Sequence, residues 1–309
     1  MSEHSRPDLR ILALGLPGLA EPLDPRSLAA CHPLWAADVE ARGPWRLDAG
    51  QGGAVWLPGR GAEAPQGVDV AVCGPCASTM DVARELVQRR ELGSWGSVIT
   101  PVQTVGRGQL RRAWLSAPGN VLGTVVCPPA QGLWNDLRPL VLGHLLAEAL
   151  EDICSGVRVK WPNDLLLNDR KIGGILVEER ADCILAGIGL NLVWAPGEED
   201  LREGHGVAAG AIMPAADHAT GGLGPLGLWG RLVNRLETGY GILLETFSPS
   251  EFLWIFQTRL AWMGRNVIVH EGASVRYAAR ISGVSGKGEL ILEQDGKEIH
   301  LLAGDVTPL

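Results

Sequence analysis

Lys160-Trp161-Pro162-Asn163-Asp164 confines the chain to a narrow local geometry. Val157, Val159 and Trp161 alternate with Arg158 and Lys160, the period-2 pattern of a β-strand that presents two cations on one face. Pro162 lacks the N–H that a ladder needs and ends the strand. Asn163 and Asp164 favour a turn, and Leu165 to Leu167 restart extended structure before the polar turn Asn168-Asp169-Arg170-Lys171. The pattern predicts a hairpin-like unit that gathers Lys160, Asp164 and Lys171 around one mouth, with Ile172-Gly173-Gly174-Ile175-Leu176-Val177-Glu178 following. Two ammonium groups beside one carboxylate can hold an anion and manage a proton. A surface hairpin with merely solvated lysines is the plainer alternative, but it does not account for so specific a run joined to a positioned Lys-x-Gly-Gly.

A second signal lies upstream. Gln103-Thr104-Val105-Gly106-Arg107-Gly108-Gln109-Leu110-Arg111-Arg112-Ala113-Trp114 is a glycine- and arginine-rich loop that follows an expected short strand, Ser97 to Thr100. No Asp or Glu occurs between Glu91 and Asp136, although the whole chain carries a net charge of -8. Glycines let backbone N–H groups approach a phosphate, and arginine offers a planar fork of donors to its oxygens. The composition suits a nucleotide triphosphate; a solvated loop is the alternative. A dinucleotide fingerprint fails because Arg111 stands where the third glycine belongs. A Walker loop fails both here and at Gly283 to Gly288, where no Gly-Lys-Ser/Thr follows at the right place.

Three further segments carry a pattern. Val70 to Val72 read as a strand, and Ser78-Thr79-Met80-Asp81 opens a helix with Val82, Ala83, Leu86 and Val87 on one face. Ser78 or Thr79 is the expected N-cap. Ala186-Gly187-Ile188-Gly189-Leu190-Asn191-Leu192 reads as a buried strand whose glycines admit a close neighbour.

Taken together, these segments resemble the biotin protein ligase family over most of residues 70 to 309. The resemblance implies an α+β fold: a biotin/lipoate ligase-like catalytic domain with a mixed sheet and flanking helices at residues 68–262, and a small SH3-like C-terminal β-barrel at residues 263–309. It implies ATP-dependent formation of biotinyl-5'-AMP and transfer of biotin to a lysine of a biotin carboxyl carrier protein, with ATP and Mg2+ required and biotin as substrate. Lys171, Asp164 and Arg107 are the implied catalytic residues. Ser78, Thr79, Met80, Gln103, Arg107, Gly108, Gln109 and Lys171 are the implied biotin-binding residues. Arg112, Trp114, Lys160, Asn163, Gly187, Gly189 and Asn191 are assigned to ATP or the adenylate, and no residue is assigned to a metal. In the implied mechanism the biotin carboxylate attacks the α-phosphorus, with Mg2+ bridging phosphates and Arg107, Arg112 and Lys171 offsetting the repulsion. The carrier lysine, with an unperturbed pKa of about 10.4, then loses a proton and attacks the anhydride; Asp164 is the acceptor or the orienting group. Lys160 reads alternatively as a structural partner of Asp164.

The family loop usually reads Gly-Arg-Gly-Arg-x-Gly-Arg before a Trp. Here Gly106, Arg107, Gly108, Arg112 and Trp114 match, but Gln109 replaces the middle arginine and Arg111 the later glycine. The missing guanidinium at position 109 predicts looser retention of the adenylate. Two rivals remain: a lipoate or octanoate ligase of related fold, and a non-catalytic biotin-binding sensor.

Composition sets the outer limits. With 309 residues, 46% hydrophobic and 20% charged, the chain can bury a sizeable core. No apolar run approaches the ~20 residues that span a bilayer. Ile11 to Ala20 imitates a signal-peptide core, but Glu3 and Asp8 precede it and Pro17 interrupts it, so it reads as a buried strand of a cytoplasmic protein. Lysine and arginine total 27 against 35 acids, which gives no support for DNA as a partner. Cys73-Gly74-Pro75-Cys76 matches a thioredoxin motif without the surrounding domain; Cys31, Cys127, Cys154 and Cys183 read as small core residues. No cysteine or histidine spacing suggests zinc. The sequence does not choose between monomer and homodimer.

Elsewhere, helical periodicity marks Leu137 to Leu150 and Leu228 to Glu245, with His144 a helix-face residue, and Gly204 to Gly227 reads as a loop. Strands are expected at Asn266 to His270, Arg276 to Ser282, Glu289 to Gln294 and Lys297 to Leu302, with turns at Gly286-Lys287-Gly288 and Asp295-Gly296. Residues 1–67 read as an extension of αβ character. Asp24-Pro25 starts a helix, while Pro33 and the Gly/Pro-rich stretch from Gly43 to Gly67 argue against the winged-helix repressor domain that some relatives carry.

Overall fold

The computed structural model describes residues 9–50, 53–59, 68–109, 112–180, 183–197, 199, 207–213, 223–271 and 275–309. Arg111 and parts of the expected loop between Gly204 and Gly227 lie outside them. In chain order the elements are β1 (Leu9–Leu12), α1 (Pro25–Cys31), α2 (Pro33–Ala41), β2 (Arg46–Gly50), β3 (Gly53–Leu57), β4 (Val70–Val72), α3 (Thr79–Gln88), β5 (Ser97–Ile99) and β6 (Val121–Cys127). They continue as α4 (Leu133–Asp136), α5 (Arg138–Leu150), β7 (Arg158–Lys160), β8 (Asp164–Leu167), β9 (Arg170–Glu179), β10 (Ile184–Leu190), α6 (Pro225–Thr246) and α7 (Pro249–Phe256). The last strands are β11 (Asn266–Glu271), β12 (Val275–Val284), β13 (Leu290–Gln294), β14 (Lys297–Leu301) and β15 (Asp305–Pro308).

Two compact units result. The first comprises Met1–Pro128, Leu176–Trp194 and Met213–Asn234; the second comprises Pro129–Ile175, Ala195–Ile212 and Arg235–Leu309.

In the first unit the strand order is β2-β3-β1-β4-β5-β6-β10. The pairs β1–β4 and β4–β5 are parallel, while β1–β3, β2–β3, β5–β6 and β6–β10 are antiparallel, so the sheet is mixed as expected. Every residue of β6 is buried, because both faces are covered. Gly123 lies against the indole of Trp229 from α6, where an added Cβ would come within 2.5 Å of the ring. Its neighbour Thr124 points to the opposite face and meets Thr79 of α3.

Several expectations need correction here. Extended structure from Ile11 ends at Leu12, and turns occupy the following residues. Pro33 begins a second helix that the sequence reading did not name: it sits in the first turn of α2, where no N–H is needed, with His32 Nδ1 accepting from Leu34 N. Asp24 caps α1 as predicted, accepting from Arg26 N and Ser27 N. The expected loop up to Gly227 gives way to helix at Pro225. There the buried carboxylate of Asp38 accepts from Leu226 N (2.8 Å) and Gly227 N (3.1 Å), which supplies the amides of the α6 N-terminus with an acceptor from α2.

In the second unit α5 is buried along most of its length, His144 included. The five-stranded antiparallel sheet runs β14-β13-β12-β11-β15 and matches the small C-terminal β-module that was expected. Its β13–β14 turn is two residues long with positive φ at Asp295 (52°) and Gly296 (73°), the mirror-image turn that suits strand twist. The sequence reading passed over α7 and β15. The first is announced by Ser248-Pro249-Ser250-Glu251, a capping box in which Ser248 and Glu251 exchange hydrogen bonds with each other's backbone.

Candidate active site

The hairpin in the second unit is built by register. In β7–β8, Lys160 pairs directly with Asp164 across three turn residues, Trp161 to Asn163, so their side chains share a face. Asp164 is therefore already strand and not turn. The β8–β9 turn is narrower than predicted: Asn168 (φ 51°) and Asp169 (φ 59°) form it alone, and Leu167 pairs with Arg170.

Lys171 owes its direction to the tight turn. With Asn168 and Asp169 alone in the turn, Leu167 pairs with Arg170 and Leu166 with Lys171, which puts Lys171 on the face that Leu166 shares with Asp164. Beyond Lys171 the ladder continues as Leu165 with Gly173 and Asp164 with Gly174, so Ile172 is one residue more than the ladder accommodates and forms a bulge. Its backbone is also held, with Lys171 N donating to Ala208 O and Gly210 N donating to Lys171 O.

The result is a chain of charges. Lys171 Nζ stands 2.7 Å from Asp164 Oδ1, and Lys160 Nζ 3.5 Å from Asp164 Oδ2. Lys160 also forms an ion pair with Asp305 of β15. Two cations thus face two carboxylates. Burial opposes ionisation of Asp164, but Lys171 and then Lys160 outweigh it and hold its pKa below the usual value. Burial likewise opposes the charge on Lys160, and the carboxylates of Asp164 and Asp305 overcome it and raise its pKa. Asn163, beside them, donates from Nδ2 to Ile175 O and accepts at its carbonyl from Ile175 N. Arg158, expected to share a cationic face with Lys160, is exposed and reaches the carbonyl of Thr258.

The first unit holds the other predicted residues. Ser78 caps α3, accepting from Met80 N at 3.3 Å. Gln103 Oε1 accepts from Thr79 N (2.7 Å) and Thr79 Oγ1 (3.0 Å). The glycine-arginine loop is a small two-armed structure: Gly108 N donates to Arg112 O (2.8 Å), Trp114 N to Gly106 O (2.9 Å) and Arg112 N to Gln109 O (3.1 Å). The Gly108 amide is thus engaged within the loop. Arg107 Nη2 turns to Asp81 Oδ1 (2.9 Å) and Ser78 Oγ (3.3 Å). Asp81 also accepts from Arg84, whose other nitrogen meets Glu178 (2.9 Å).

Two glycines of β10 allow close packing here. A Cβ at Gly189 would lie 2.5 Å from the Trp114 indole, and one at Gly187 would lie 3.0 Å from Met80 Sδ. Asn191 is buried just beyond the strand. Cys73 and Cys76 are buried free thiols in mutual contact, in which Cys73 hydrogen-bonds Cys76 and lowers its pKa while its own is raised.

Sequence reasoning missed three participants. Asp305 has no local signal, since it meets Lys160 across 145 positions. Asp81 could have been suspected from its place in the first turn of a helix that opens beside a cationic loop. Thr124 is the one hydroxyl in the otherwise apolar run Val121–Cys127.

Comparison with known proteins supplies the family. Residues 74–192 match the Biotin/lipoate A/B protein ligase family. The bifunctional ligase/repressor BirA of Escherichia coli K12 is 39% identical over 225 residues, covering 70% of this chain and 67% of that protein. The biotin--[acetyl-CoA-carboxylase] ligase of Paracoccus denitrificans is 29% identical over 221 residues, covering 63% and 82%. In fold, the biotin protein ligase of Aquifex aeolicus in complex with biotin and ATP superposes with a TM-score of 0.61 at 23% identity, covering 77% of this chain and 97% of that one. The chain belongs to the biotin protein ligase family.

Proposed function

We propose that this chain is an ATP-dependent biotin protein ligase, forming biotinyl-5'-AMP and passing biotin to a lysine of a biotin carboxyl carrier protein or domain. The observation that carries the reading furthest is the Lys171–Asp164 pair, in which the register of the hairpin sets an ammonium 2.7 Å from a buried carboxylate. Relatives named for this activity support it. We assign Lys171, Asp164 and Arg107 to catalysis; Ser78, Thr79, Met80, Gln103, Gly108 and Gln109, with Arg107 and Lys171, to biotin; and Arg112, Trp114, Lys160, Asn163, Gly187, Gly189 and Asn191 to ATP or the adenylate. Residues 68–262 are the proposed catalytic domain, 263–309 the SH3-like module and 1–67 its extension.

In the first step the biotin carboxylate attacks the α-phosphorus and pyrophosphate leaves. Arg107, Arg112 and the Lys171 ammonium reduce the repulsion between the two anions. In the second step the carrier amine attacks the anhydride carbonyl, and Lys171 receives the charge that develops on its oxygen. Of the two roles open to Asp164, the geometry favours orientation. Both its oxygens face ammonium groups and its pKa is lowered, which makes it a poor proton acceptor and a firm holder of Lys171.

Among the described residues no group of three or more His, Cys, Asp or Glu side chains could hold a metal ion. The donor set does not fit a resident Mg2+, whose place in this reading is with the phosphates of the nucleotide. No described helix is long and apolar enough to cross a membrane. The proposed location is the cytoplasm.

Pyrophosphate exchange into ATP, measured with biotin, lipoate and octanoate in turn, tests the reading. Exchange with biotin alone is expected. Exchange with lipoate or octanoate alone would make the chain a ligase for another acyl acid, and silence with all three would make it a sensor.

A further inference from the structure

We propose that Thr124 is a positioning residue, acting through Thr79 to fix the direction of the Gln103 carboxamide. The polarity of the contacts decides this. Thr79 N–H can only donate, so the Gln103 atom 2.7 Å from it is the carbonyl oxygen. That same oxygen lies 3.0 Å from Thr79 Oγ1, so the hydroxyl donates to it as well. A hydroxyl has a single proton. Thr79 Oγ1 must therefore accept in its 2.8 Å contact with Thr124 Oγ1, and Thr124 is the donor.

The relay runs one way, from Thr124 to Thr79 to Gln103 Oε1. It leaves the Gln103 amide nitrogen on the side of Gly106, where an added Cβ would stand 3.4 Å from Nε2. Gln103 thereby offers a fixed N–H donor to a ligand oxygen, and the alternative flip of the amide would set N–H against N–H at Thr79. Thr124 is fully buried in β6, between Gly187 of β10 and Val98 of β5. Valine would fill the same volume there without a hydroxyl to desolvate, and a lone hydroxyl in such a strand is favourable only where it finds a partner. Thr124 touches no reacting atom, and its effect passes through two other side chains.

The inference rests on the reading of Gln103 as a biotin-binding residue, so the test has one arm that needs no substrate. In the ligand-free protein, the side-chain amide resonance of Gln103, assigned by its disappearance in Gln103→Ala, should shift and broaden in Thr124→Val and return in Thr124→Ser. An unmoved resonance in Thr124→Val overturns the proposal, whatever the ligand proves to be. In pyrophosphate exchange, Thr124→Val should raise KM for biotin by about five- to tenfold, the scale of one buried hydrogen bond. The kcat and the KM for ATP should stay put, Thr124→Ser should restore the parent KM, and Thr124→Val should add nothing in a Gln103→Ala background. An undiminished effect in that background, or a loss shared by kcat and both KM values, would show a general packing role and overturn it. If the parent protein exchanges with no acid, the ligase reading fails, and the resonance still decides the role of Thr124.

Discussion

The hairpin of the second unit and the glycine-arginine loop of the first both hold cations beside carboxylates, yet they do so in opposite ways. In the hairpin, Lys160 and Asp164 are buried, and main-chain register sets their mutual position before any side chain chooses a rotamer. In the loop, Arg107 keeps 36% of its side chain exposed and is directed by Asp81, a residue of another element. Charge held by register is stiff and costly to disturb. Charge held by a half-exposed ion pair is screened, weak and able to change partner.

The largest expected effect of breaking this contrast lies at the aimed lysine. Lys171→Ala should lower biotin-dependent pyrophosphate exchange by at least about a hundredfold, as removal of a preorganised donor typically does. A rate close to the parent's would show that the hairpin aims Lys171 at nothing. Next in size, Asp305→Asn leaves buried Lys160 with a single carboxylate and should cost about 3 kcal/mol in chemical denaturation. A change within experimental error would mean that Lys160 is solvated and the stiffness illusory.

A pH series sharpens the point with two buried aspartates of opposite sign. Asp164 has a lowered pKa, so its stabilisation is present above the unfolded value of 3.8 and is lost as pH falls through its folded pKa. Asp38 has a raised pKa because burial outweighs Arg42 and the α6 amides, so the stability it contributes is full below 3.8 and declines as pH rises through its folded pKa. Denaturation from pH 3 upward (roughly the carboxylate range) should show Asp164→Asn flattening the acid limb and Asp38→Asn flattening the decline on its alkaline side. Identical slopes in both variants would refute the assigned causes.

Smaller effects are expected in the loop. Gln109→Arg should slow release of the adenylate by about tenfold, the scale of one added charge-assisted contact; an unaltered off-rate would dismiss the idea that position 109 governs retention. Asp81→Asn should change stability by less than about 1 kcal/mol. A loss as large as that of Asp305→Asn would erase the distinction between the two regions.

The same distinction explains what could be read from the sequence. Val70–Val72, the Ser78-capped helix, the Asn168-Asp169 and Asp295-Gly296 turns and the four strands after Gly264 carry their signals locally, in alternation, caps and turn chemistry. Asp164 with Lys160 was legible for the same reason, being four residues away on a tight hairpin. Lys171 was legible too, placed at the hairpin mouth by the polar turn before it, whereas the extra residue at Ile172 was not, because a bulge shows only in the ladder. Asp305, the acceptor role of Asp38 at α6 and the Gly123–Trp229 contact depend on residues far apart in the chain, for which a single sequence holds no signal.

The two-residue turn at Asn168 and Asp169 also says something about how such a hairpin can change over generations. Exchanging one side chain for another leaves the register intact, whereas adding a single codon between the turn and Lys171 would rotate that lysine away from its carboxylate in one event, with no half-measure between. The arrangement is therefore digital with respect to length and tolerant with respect to composition, and anyone transplanting the hairpin into another scaffold must count its residues before choosing them.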